Sequence, residues 1–301
     1  MKRILSMVMM IVITVTSFGF CSYNSNSVVS ADTVSWPSGP GLVAETAVMI
    51  DASTGSVLFE KKCNQKMYPA SITKIMTALL TIENCNLDDT VTFSQSAIDT
   101  LEPEAANIGA VVGEEMSVKD CLYALMLQSA NEVASALAEH VSGSIEEFAK
   151  LMNKRAKQAG ANDAHFANAC GLFNKKHYVT AYDMAKIMQA ALQYPVFREI
   201  INSSSYTLPT DNKRKEPLTI SQRHQMVQPW NSFHYDGIIG GKTGFVNESG
   251  TTLVTSAQRD GMTLITVVLN SPGTNSYVDT TALLDFGFKN FKFLFATKDA
   301  F

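Results

Sequence analysis

Short apolar segments with the character of β-strands occur near both ends of the chain. Near the start, Thr46–Asp51 and Ser56–Glu60 are apolar runs, and the segment Ala52–Gly55 between them has the small residues and final glycine of a tight turn. Near the end, Thr252–Ala257 and Met262–Leu269 flank a second tight turn. The sequence therefore predicts two β-hairpins that lie far apart along the chain.

Helical periodicity fills much of the sequence between these hairpins. Apolar residues recur every three or four positions in four segments, and one further helical segment follows the second hairpin. Ser117 and Thr180 precede two of these segments as capping residues. The predicted helices are Ile72–Ile82, Val118–His140, Ile145–Ala159, Ala181–Leu192 and Val278–Phe293. Strands at both ends with helices between them predict an α+β fold, whose antiparallel sheet is formed from both chain ends.

The first residues have the pattern of an export signal. Lys2 and Arg3 precede the apolar run Ile4–Phe20, and the small residues Val29–Ala31 offer a cleavage site. We therefore interpret residues 1–31 as a secretory signal peptide, residues 32–43 as a linker, and the protein as exported to the extracytoplasmic side. An uncleaved membrane anchor is the alternative, because the run is close to the minimum length that spans a bilayer.

Composition narrows the functional classes further. The chain has 301 residues, 46% of them hydrophobic, and a formal net charge of −4 without a run of lysines or arginines, so we expect no nucleic-acid partner. Beyond the leader, Cys63, Cys85, Cys121 and Cys170 show no CxxC pair, and we favour isolated thiols over a disulfide framework. Neither these cysteines nor the five histidines have the spacing of a zinc site, so we predict no metal and no cofactor.

Candidate chemistry begins with Ser71 and Lys74, at the start of the first predicted helix. Residues three positions apart share one helical face, so a hydroxyl and an amine are neighbours there. Ordinary helix capping by Ser71 is the simpler interpretation. Lys74 could act as a base only when neutral, and at pH 7 neutralisation of an ordinary lysine costs about 4.6 kcal/mol. Catalysis by this pair would therefore require burial of Lys74 or a second cation, together with a proton relay.

Two later segments supply candidates for these functions. Ser129 and Asn131 form a Ser-x-Asn sequence, which could also be a polar kink within a helix. Lys242 and Thr243 lie in Gly-Gly-Lys-Thr-Gly, which could also be a plain turn. A Walker phosphate loop is excluded there, because Asp236 occupies the position of its first glycine. Lys242 would be the second cation and Ser129 the relay.

Ser-x-x-Lys, Ser-x-Asn and Lys-Thr-Gly in this order are the motif set of penicillin-binding proteins and class A β-lactamases. The chain resembles the serine-type D-Ala-D-Ala carboxypeptidases, which are low-molecular-weight penicillin-binding proteins. Further segments of similar sequence are GANDAHFANACGL, HYVTAYDMAKI and GGKTGFVNESGTTLVTSAQRDGMTLITVVLNSP. The resemblance covers roughly residues 44 to 290 and implies a β-lactamase/transpeptidase-like fold. We take residues 44–293 as the catalytic domain and 294–301 as a short tail without a separate anchor.

The resemblance also implies an activity and a role for each site residue. Ser71 would attack the bond between two terminal D-alanines of a peptidoglycan stem peptide, and neutral Lys74 would accept its proton. Ser129, linked to both lysines, would protonate the departing D-alanine, and Asn131 would hold the substrate amide. In the Lys242–Gly244 motif, Lys242 and Thr243 would meet the terminal carboxylate. The backbone N–H groups of Ser71 and of Phe245, after Gly244, would bind the oxyanion. β-Lactams would acylate the same serine.

Several alternatives stay open at this stage. A β-lactamase is less favoured, because GLFNKKHYVTAYD lacks the glutamate expected for fast deacylation, and a non-catalytic penicillin-binding wall protein is a further alternative. For His177 we favour a structural role at a helix entry, and for Arg223 and His224 solvated positions at a strand edge over a contribution to the carboxylate pocket. The sequence leaves open an endopeptidase activity, a role in growth or sporulation, a peripheral association with membrane or wall, and the oligomeric state.

Overall fold

A five-stranded antiparallel sheet combines strands from both ends of the chain. The structure, a computed structural model, describes residues 36–292, so the predicted signal peptide, the first part of the linker and the tail lie outside the described residues. The strands are β1 (Thr46–Asp51), β2 (Val57–Lys61), β3 (Thr90–Thr92), β4 (Glu115–Ser117), β5 (Ser205–Leu208), β6 (Leu218–Ser221), β7 (Ile238–Val246), β8 (Gly250–Arg259) and β9 (Met262–Ser271). In the large sheet the order is β2-β1-β9-β8-β7. The predicted α+β arrangement is confirmed, because β1 from one chain end pairs with β9 from the other.

The helices lie mainly between β2 and β7 in sequence. They are α1 (Lys74–Asn84), α2 (Gln95–Asp99), α3 (Val118–Tyr123), α4 (Asn131–Ser142), α5 (Ile145–Ala159), α6 (Ala181–Ala191), α7 (Pro195–Asn202) and α8 (Asn275–Asn290). Each helix predicted from periodicity is present, but the segment predicted as Val118–His140 is divided. A π-helical turn, Ala124–Gln128, separates α3 from α4. The pattern did not predict α2, α7 or the small β3–β4 and β5–β6 pairs, because these elements are too short for a period to emerge.

The sheet is covered on both faces, and β1 shows how its sequence provides for this. All six of its residues are buried. Val48 and Ile50 belong to the core on the side of the helical region, whereas Ala47 and Met49 belong to the core that contains residues of α8. Side chains alternate between the faces of a strand, so a continuous apolar run serves two cores at once. From Ser38 onward, the described residues belong to one compact unit.

Cys63, Cys85, Cys121 and Cys170 are free thiols in this structure, and no two of them are bonded. None of the helices within residues 36–292 combines the length and the apolar character that a bilayer crossing requires.

Two buried histidines lie in the interior beside the sheet and α1. His224 is fully buried, and its Nε2 lies 2.8 Å from Thr255 Oγ1 on β8, so the prediction of a solvated edge position was wrong for this residue. The chain turns inward after β6, and His224 lies against β8 immediately before the 3₁₀ turn Gln225–Val227. Burial lowers the pKa of His224 to about 3, with a further contribution from Lys242, and burial likewise lowers the pKa of His177 to about 3.

These low pKa values predict a loss of stability in acid. An unfolded histidine has a pKa near 6.5, so between pH 6.5 and about 3 the unfolded chain binds protons that the folded protein excludes. The stabilisation is complete above pH 6.5 and declines as pH falls, by up to about 1.4 kcal/mol per pH unit for each histidine. We expect His224→Gln to flatten the fall in unfolding free energy between pH 6.5 and 4 in urea titrations. The matched change at exposed His140 should leave the slope as in wild type, and an unchanged slope in His224→Gln would contradict the assignment.

Candidate active site

Ser71 lies in a 3₁₀ turn, Ala70–Thr73, that leads directly into α1. The helix-capping interpretation fails here, because Pro69 and Thr73 occupy the cap positions and neither makes a side-chain cap hydrogen bond. Instead the Ser71 hydroxyl is 3.0 Å from Lys74 Nζ. Ala70, immediately before it, has φ +52°, a left-handed conformation that is unfavourable for a residue with a side chain. The surrounding structure must therefore hold this turn in place.

Hydrogen bonds from three parts of the fold stabilise the turn. On one side, the Thr252 hydroxyl of β8 donates to the Pro69 carbonyl at 2.8 Å. On the other, the Thr73 hydroxyl donates to the Ala70 carbonyl at 2.8 Å. The Ala167 N–H donates to His177 Nδ1 at 3.3 Å, which leaves the proton of the neutral ring on Nε2, 2.9 Å from Thr73 Oγ1. His177 therefore holds the turn through Thr73, a positioning contact in addition to the helix-entry role predicted from sequence.

Two glycines allow other segments to approach the turn that carries Ser71 closely. A Cβ on Gly171, which has φ +90°, would lie 1.9 Å from the Ala70 carbonyl oxygen. A Cβ on Gly244 of β7 would lie 2.8 Å from the backbone nitrogen of Ser71. Only glycine permits these approaches. As a result β7 and the segment after Cys170 are held directly against the turn that carries Ser71.

Lys74 is fully buried and has three oxygen partners around its amine. Its Nζ lies 3.0 Å from Ser71 Oγ, 2.6 Å from Asn131 Oδ1 and 2.6 Å from the carbonyl oxygen of Cys170. A carbonyl and an amide oxygen can only accept hydrogen bonds, so these two orient the N–H bonds of the amine. When the amine is neutral, its lone pair is then left for the Ser71 hydroxyl. This is the geometry of a general base beside a nucleophile.

Burial is the main reason that Lys74 can lose its proton. It lowers the pKa from 10.5 to about 8, against opposing contributions from Cys170 and Glu132 and with a further lowering by Arg223. At pH 7 about one molecule in ten then holds a neutral Lys74, and neutralisation costs about 1.4 kcal/mol rather than almost 5. The second cation expected from sequence was Lys242, whose pKa is lowered by Lys74, and Arg223 is a further cation that lowers the pKa of Lys74.

The Ser-x-Asn segment lies where the π-helical turn ends. Ser129 has φ +65°, and α4 begins two residues later with Asn131, which is buried and accepts the hydrogen bond from Lys74. π-Helical turns often occur at functional sites. Ser129 lines the cleft, but among residues 36–292 no hydrogen bond links its hydroxyl to either lysine, contrary to expectation. Lys74 has three oxygen partners instead, and Lys242 donates to the Thr243 carbonyl at 3.0 Å.

The Lys-Thr-Gly segment forms part of β7, an edge strand of the sheet. Lys242 is 1% exposed, and burial, Lys74 and Arg223 together lower its pKa well below the usual value. Thr243, Gly244 and Phe245 line the cleft, and Phe245 is 64% exposed. The free edge of such a strand can pair with an extended peptide through backbone hydrogen bonds.

An open cleft of about 650 Å³ joins these elements. The cleft also contains residues that the sequence did not predict as site residues, or for which it predicted another role. Their local sequence patterns give no sign that they line a cleft. Arg223, predicted as a solvated edge residue, lines this cleft and lowers the pKa of both buried lysines. The other residues missed are Glu102, Glu104, Leu172, Phe173, Glu248 and Tyr277.

Comparison with protein families matches residues 33–273 to D-alanyl-D-alanine carboxypeptidases. The chain belongs to the D-alanyl-D-alanine carboxypeptidase family. Among its relatives is the D-alanyl-D-alanine carboxypeptidase DacF of Bacillus subtilis, 35% identical over 83% of this chain and 63% of the relative. The chain therefore spans less than two thirds of that protein. A carboxypeptidase of Streptomyces strain K15 is 32% identical over 83% of this chain and 88% of its own length.

Solved structures of relatives give the fold of this family. The Streptomyces K15 DD-transpeptidase superposes with a TM-score of 0.78 at 28% identity, over 84% of this chain and 100% of that one. A penicillin-binding protein homologue of Mycobacterium tuberculosis superposes with a TM-score of 0.75 at 28% identity, over 90% and 97% of the two chains. The predicted β-lactamase/transpeptidase-like fold is confirmed.

One group of potential metal ligands occurs in the described part of the chain, outside the cleft. Donor atoms of Cys85, Asp89 and His140 lie within 4.8 Å of one another. Cys85 follows the last residue of α1, whereas Ser71 lies just before its first residue, so this group is at the other end of the helix.

The low pKa of Lys74 predicts how acylation depends on pH. Because only the neutral amine accepts the Ser71 proton, the second-order rate of acylation by a fluorescent penicillin should rise about tenfold per pH unit below 7 and level off above about pH 8. Arg223→Gln removes a nearby positive charge, so the pKa of Lys74 should increase and the rising limb should move to higher pH. Arg198→Gln, on the exposed side of α7, is the matched control. If the acylation rate rises over the same pH range in both variants, the role of Arg223 is contradicted.

The hydrogen bonds around Thr73 generate a second prediction. Thr73→Val keeps the shape of the side chain but removes the bonds to Ala70 and His177, so Ser71 should lose its fixed position. We expect acylation to slow by about ten- to a hundredfold, because small misplacements of reacting groups are costly. Thr77→Val, one turn along α1, removes a similar buried bond to the Ala169 carbonyl and should reduce stability alone. Equal acylation rates in the two variants would refute the positioning role.

Proposed function

We propose that this protein is a serine-type D-Ala-D-Ala carboxypeptidase that removes the terminal D-alanine from peptidoglycan stem pentapeptides. The observation that carries the proposal is the buried Lys74 amine, with a pKa of about 8, 3.0 Å from the Ser71 hydroxyl. A hydroxyl beside an amine that is partly neutral at working pH is a nucleophile with its base. The names of the relatives support the substrate class.

Acylation would begin at the carbonyl between the two D-alanines. Ser71 Oγ forms the new C–O bond while its proton moves to Lys74 Nζ, and the C–N bond to the terminal D-alanine then breaks. The leaving nitrogen needs a proton, which we assign to Ser129 as relay from Lys74. Asn131 would orient both Lys74 and the penultimate amide of the substrate. Backbone N–H groups of Ser71 and Phe245 would stabilise the oxyanion, an effect of about 3 kcal/mol per donor in acyl-transfer enzymes.

The terminal carboxylate of the substrate would be bound by β7. Arg223 and Thr243 line one part of the cleft with a positive charge and a hydroxyl, and the buried Lys242 amine lies beside Thr243 on the same strand. Such groups bind carboxylates by charge-assisted hydrogen bonds. Gly244 allows the substrate backbone to pair with the strand edge near Ser71. This arrangement favours peptides with a free carboxyl terminus over internal peptide bonds.

Water would complete the cycle by hydrolysing the ester between Ser71 and the shortened peptide. An amine could take the place of water, and the resulting transpeptidation is the second candidate function. It is favoured by the likeness to a structure named DD-transpeptidase, at a TM-score of 0.78. β-Lactams would form a corresponding ester with Ser71, and the slow hydrolysis of that ester would make them inhibitors.

The cellular setting is part of the same proposal. Its substrate lies outside the cytoplasm, so we assign residues 1–31 to a signal peptide, 32–43 to a linker, 44–293 to the catalytic domain and 294–301 to a tail. The apolar run after Lys2 and Arg3 supports export. Peripheral association with the membrane or wall would keep the enzyme near its substrate.

Release of D-alanine from diacetyl-L-Lys-D-Ala-D-Ala tests the proposal. We expect steady release by wild type and a loss of at least about a thousandfold in Ser71→Ala, as for the removal of other catalytic nucleophiles. Ser142→Ala, a serine in the last turn of α4, is the control and should retain activity. Adding an amino-acid acceptor separates hydrolysis from transfer by its products. Penicillin labelling without D-alanine release would refute the proposal, and rapid penicillin turnover would indicate a β-lactamase.

A further inference from the structure

A second cavity, of about 290 Å³, adjoins the catalytic cleft. Its lining consists of Lys66, Met67, Tyr68, Lys175, Tyr178 and Glu248. Glu248 also lines the cleft. The Phe173 ring, part of the cleft wall, packs edge-on against Tyr68 at a centroid distance of 5.0 Å. The two cavities are therefore neighbours, with Glu248 and the Phe173–Tyr68 contact between them.

The cavity is positively charged although the chain as a whole is acidic. Lys66 Nζ lies 4.5 Å from the centre of the Tyr178 ring, a cation–π contact that keeps the ammonium at the cavity wall. Lys175 is an exposed residue two positions after Phe173, and Lys176 follows it. Among residues 36–292 no carboxylate lies within salt-bridge distance of Lys66 or Lys175. These two ammonium groups can therefore interact with an anion from outside, and Glu248 is the one acidic residue of the lining.

The position of the cavity relative to Ser71 indicates which part of a substrate could reach it. Gly171 touches the turn that carries Ser71, and Phe173 is two residues further along. An extended peptide advances about 3.3 Å per residue, so the third residue upstream of the scissile bond lies roughly 10 Å from it. In the proposed function the carboxyl-terminal D-alanine lies against β7, at Thr243. The upstream part of the peptide must then lie elsewhere in the cleft or beyond it.

We propose that this cavity binds a free carboxylate of the stem peptide, upstream of the two D-alanines. The inference rests on the proposed function and adds to it a preference for stem peptides with a free carboxylate over amidated ones. Lys66 and Lys175 attract the carboxylate, while the side chains of Met67 and Tyr68 in the cavity lining pack against the aliphatic part of the acidic residue. Glu248 also lines the cavity, so its negative charge offsets part of the attraction of the two lysines. Stem peptides whose acidic residue is amidated lack this interaction and are weaker substrates.

Two pentapeptides that differ in one group test the inference. One is L-Ala-γ-D-Glu-L-Lys-D-Ala-D-Ala with an acetylated lysine side chain, and the other carries an amide in place of the free glutamate carboxylate. At low ionic strength we expect kcat/KM to be about three- to tenfold higher for the acidic peptide, the range for one or two exposed charge pairs. The ratio should decline towards one in 0.5 M salt.

The double variant Lys66→Gln/Lys175→Gln should bring this ratio close to one. Its kcat/KM for diacetyl-L-Lys-D-Ala-D-Ala, which is too short to reach the cavity, should stay within about twofold of wild type. The matched control Lys150→Gln/Lys154→Gln on α5 should keep the wild-type ratio. A ratio near one in wild type, or a ratio that persists in the Lys66/Lys175 variant, overturns the inference. Failure of all three peptides to release D-alanine would instead refute the proposed function, and with it this specificity.

Discussion

The burial of Lys74 with no carboxylate among its hydrogen-bond partners is the constraint on which the site depends. An ammonium in an apolar interior is strongly unfavourable, and a close carboxylate would compensate the charge but also raise the pKa of the lysine. The structure surrounds the amine with uncharged oxygens of Ser71, Asn131 and Cys170 instead. Hydrogen bonds are thus satisfied while the charge remains partly uncompensated, and the amine can act as a base near pH 8.

Each of these oxygens comes from a different part of the fold, and this explains the strained positions around the site. Ser71 follows the left-handed Ala70, and Asn131 follows the left-handed Ser129 at the end of a π-helical turn. Cys170 precedes Gly171, which touches the Ala70 carbonyl. Regular helices would direct these groups elsewhere. The strain is balanced by contacts such as the bond from Thr252 to Pro69 and the ring of His177 behind Thr73.

Sequence reasoning predicted the elements that are long enough for an apolar pattern to repeat, and the groups that lie within single motifs. The sheet from both chain ends followed from apolar runs, and the proximity of Ser71 and Lys74 followed from helical geometry. It could not predict Arg223 in the cleft or His224 under the sheet, because their positions depend on a turn after a four-residue strand. The His177 contact has the same cause, since 104 residues separate it from Thr73. The partners of the two lysine amines also depend on how distant segments meet in the fold, and the spacing of the motifs carries no information on that.

The two buried lysines also link substrate recognition to the base. In the protein without substrate, burial, Lys74 and Arg223 all disfavour a charged Lys242. A carboxylate bound beside Lys242 would favour its charged form, and a charged Lys242 would in turn disfavour charge on Lys74, because the interaction between two titrating groups is reciprocal. Binding of a free carboxyl terminus would therefore favour the state in which Lys242 is protonated and Lys74 is neutral. Under this coupling a peptide with a blocked carboxyl terminus would lose turnover as well as affinity, since it would leave the base protonated.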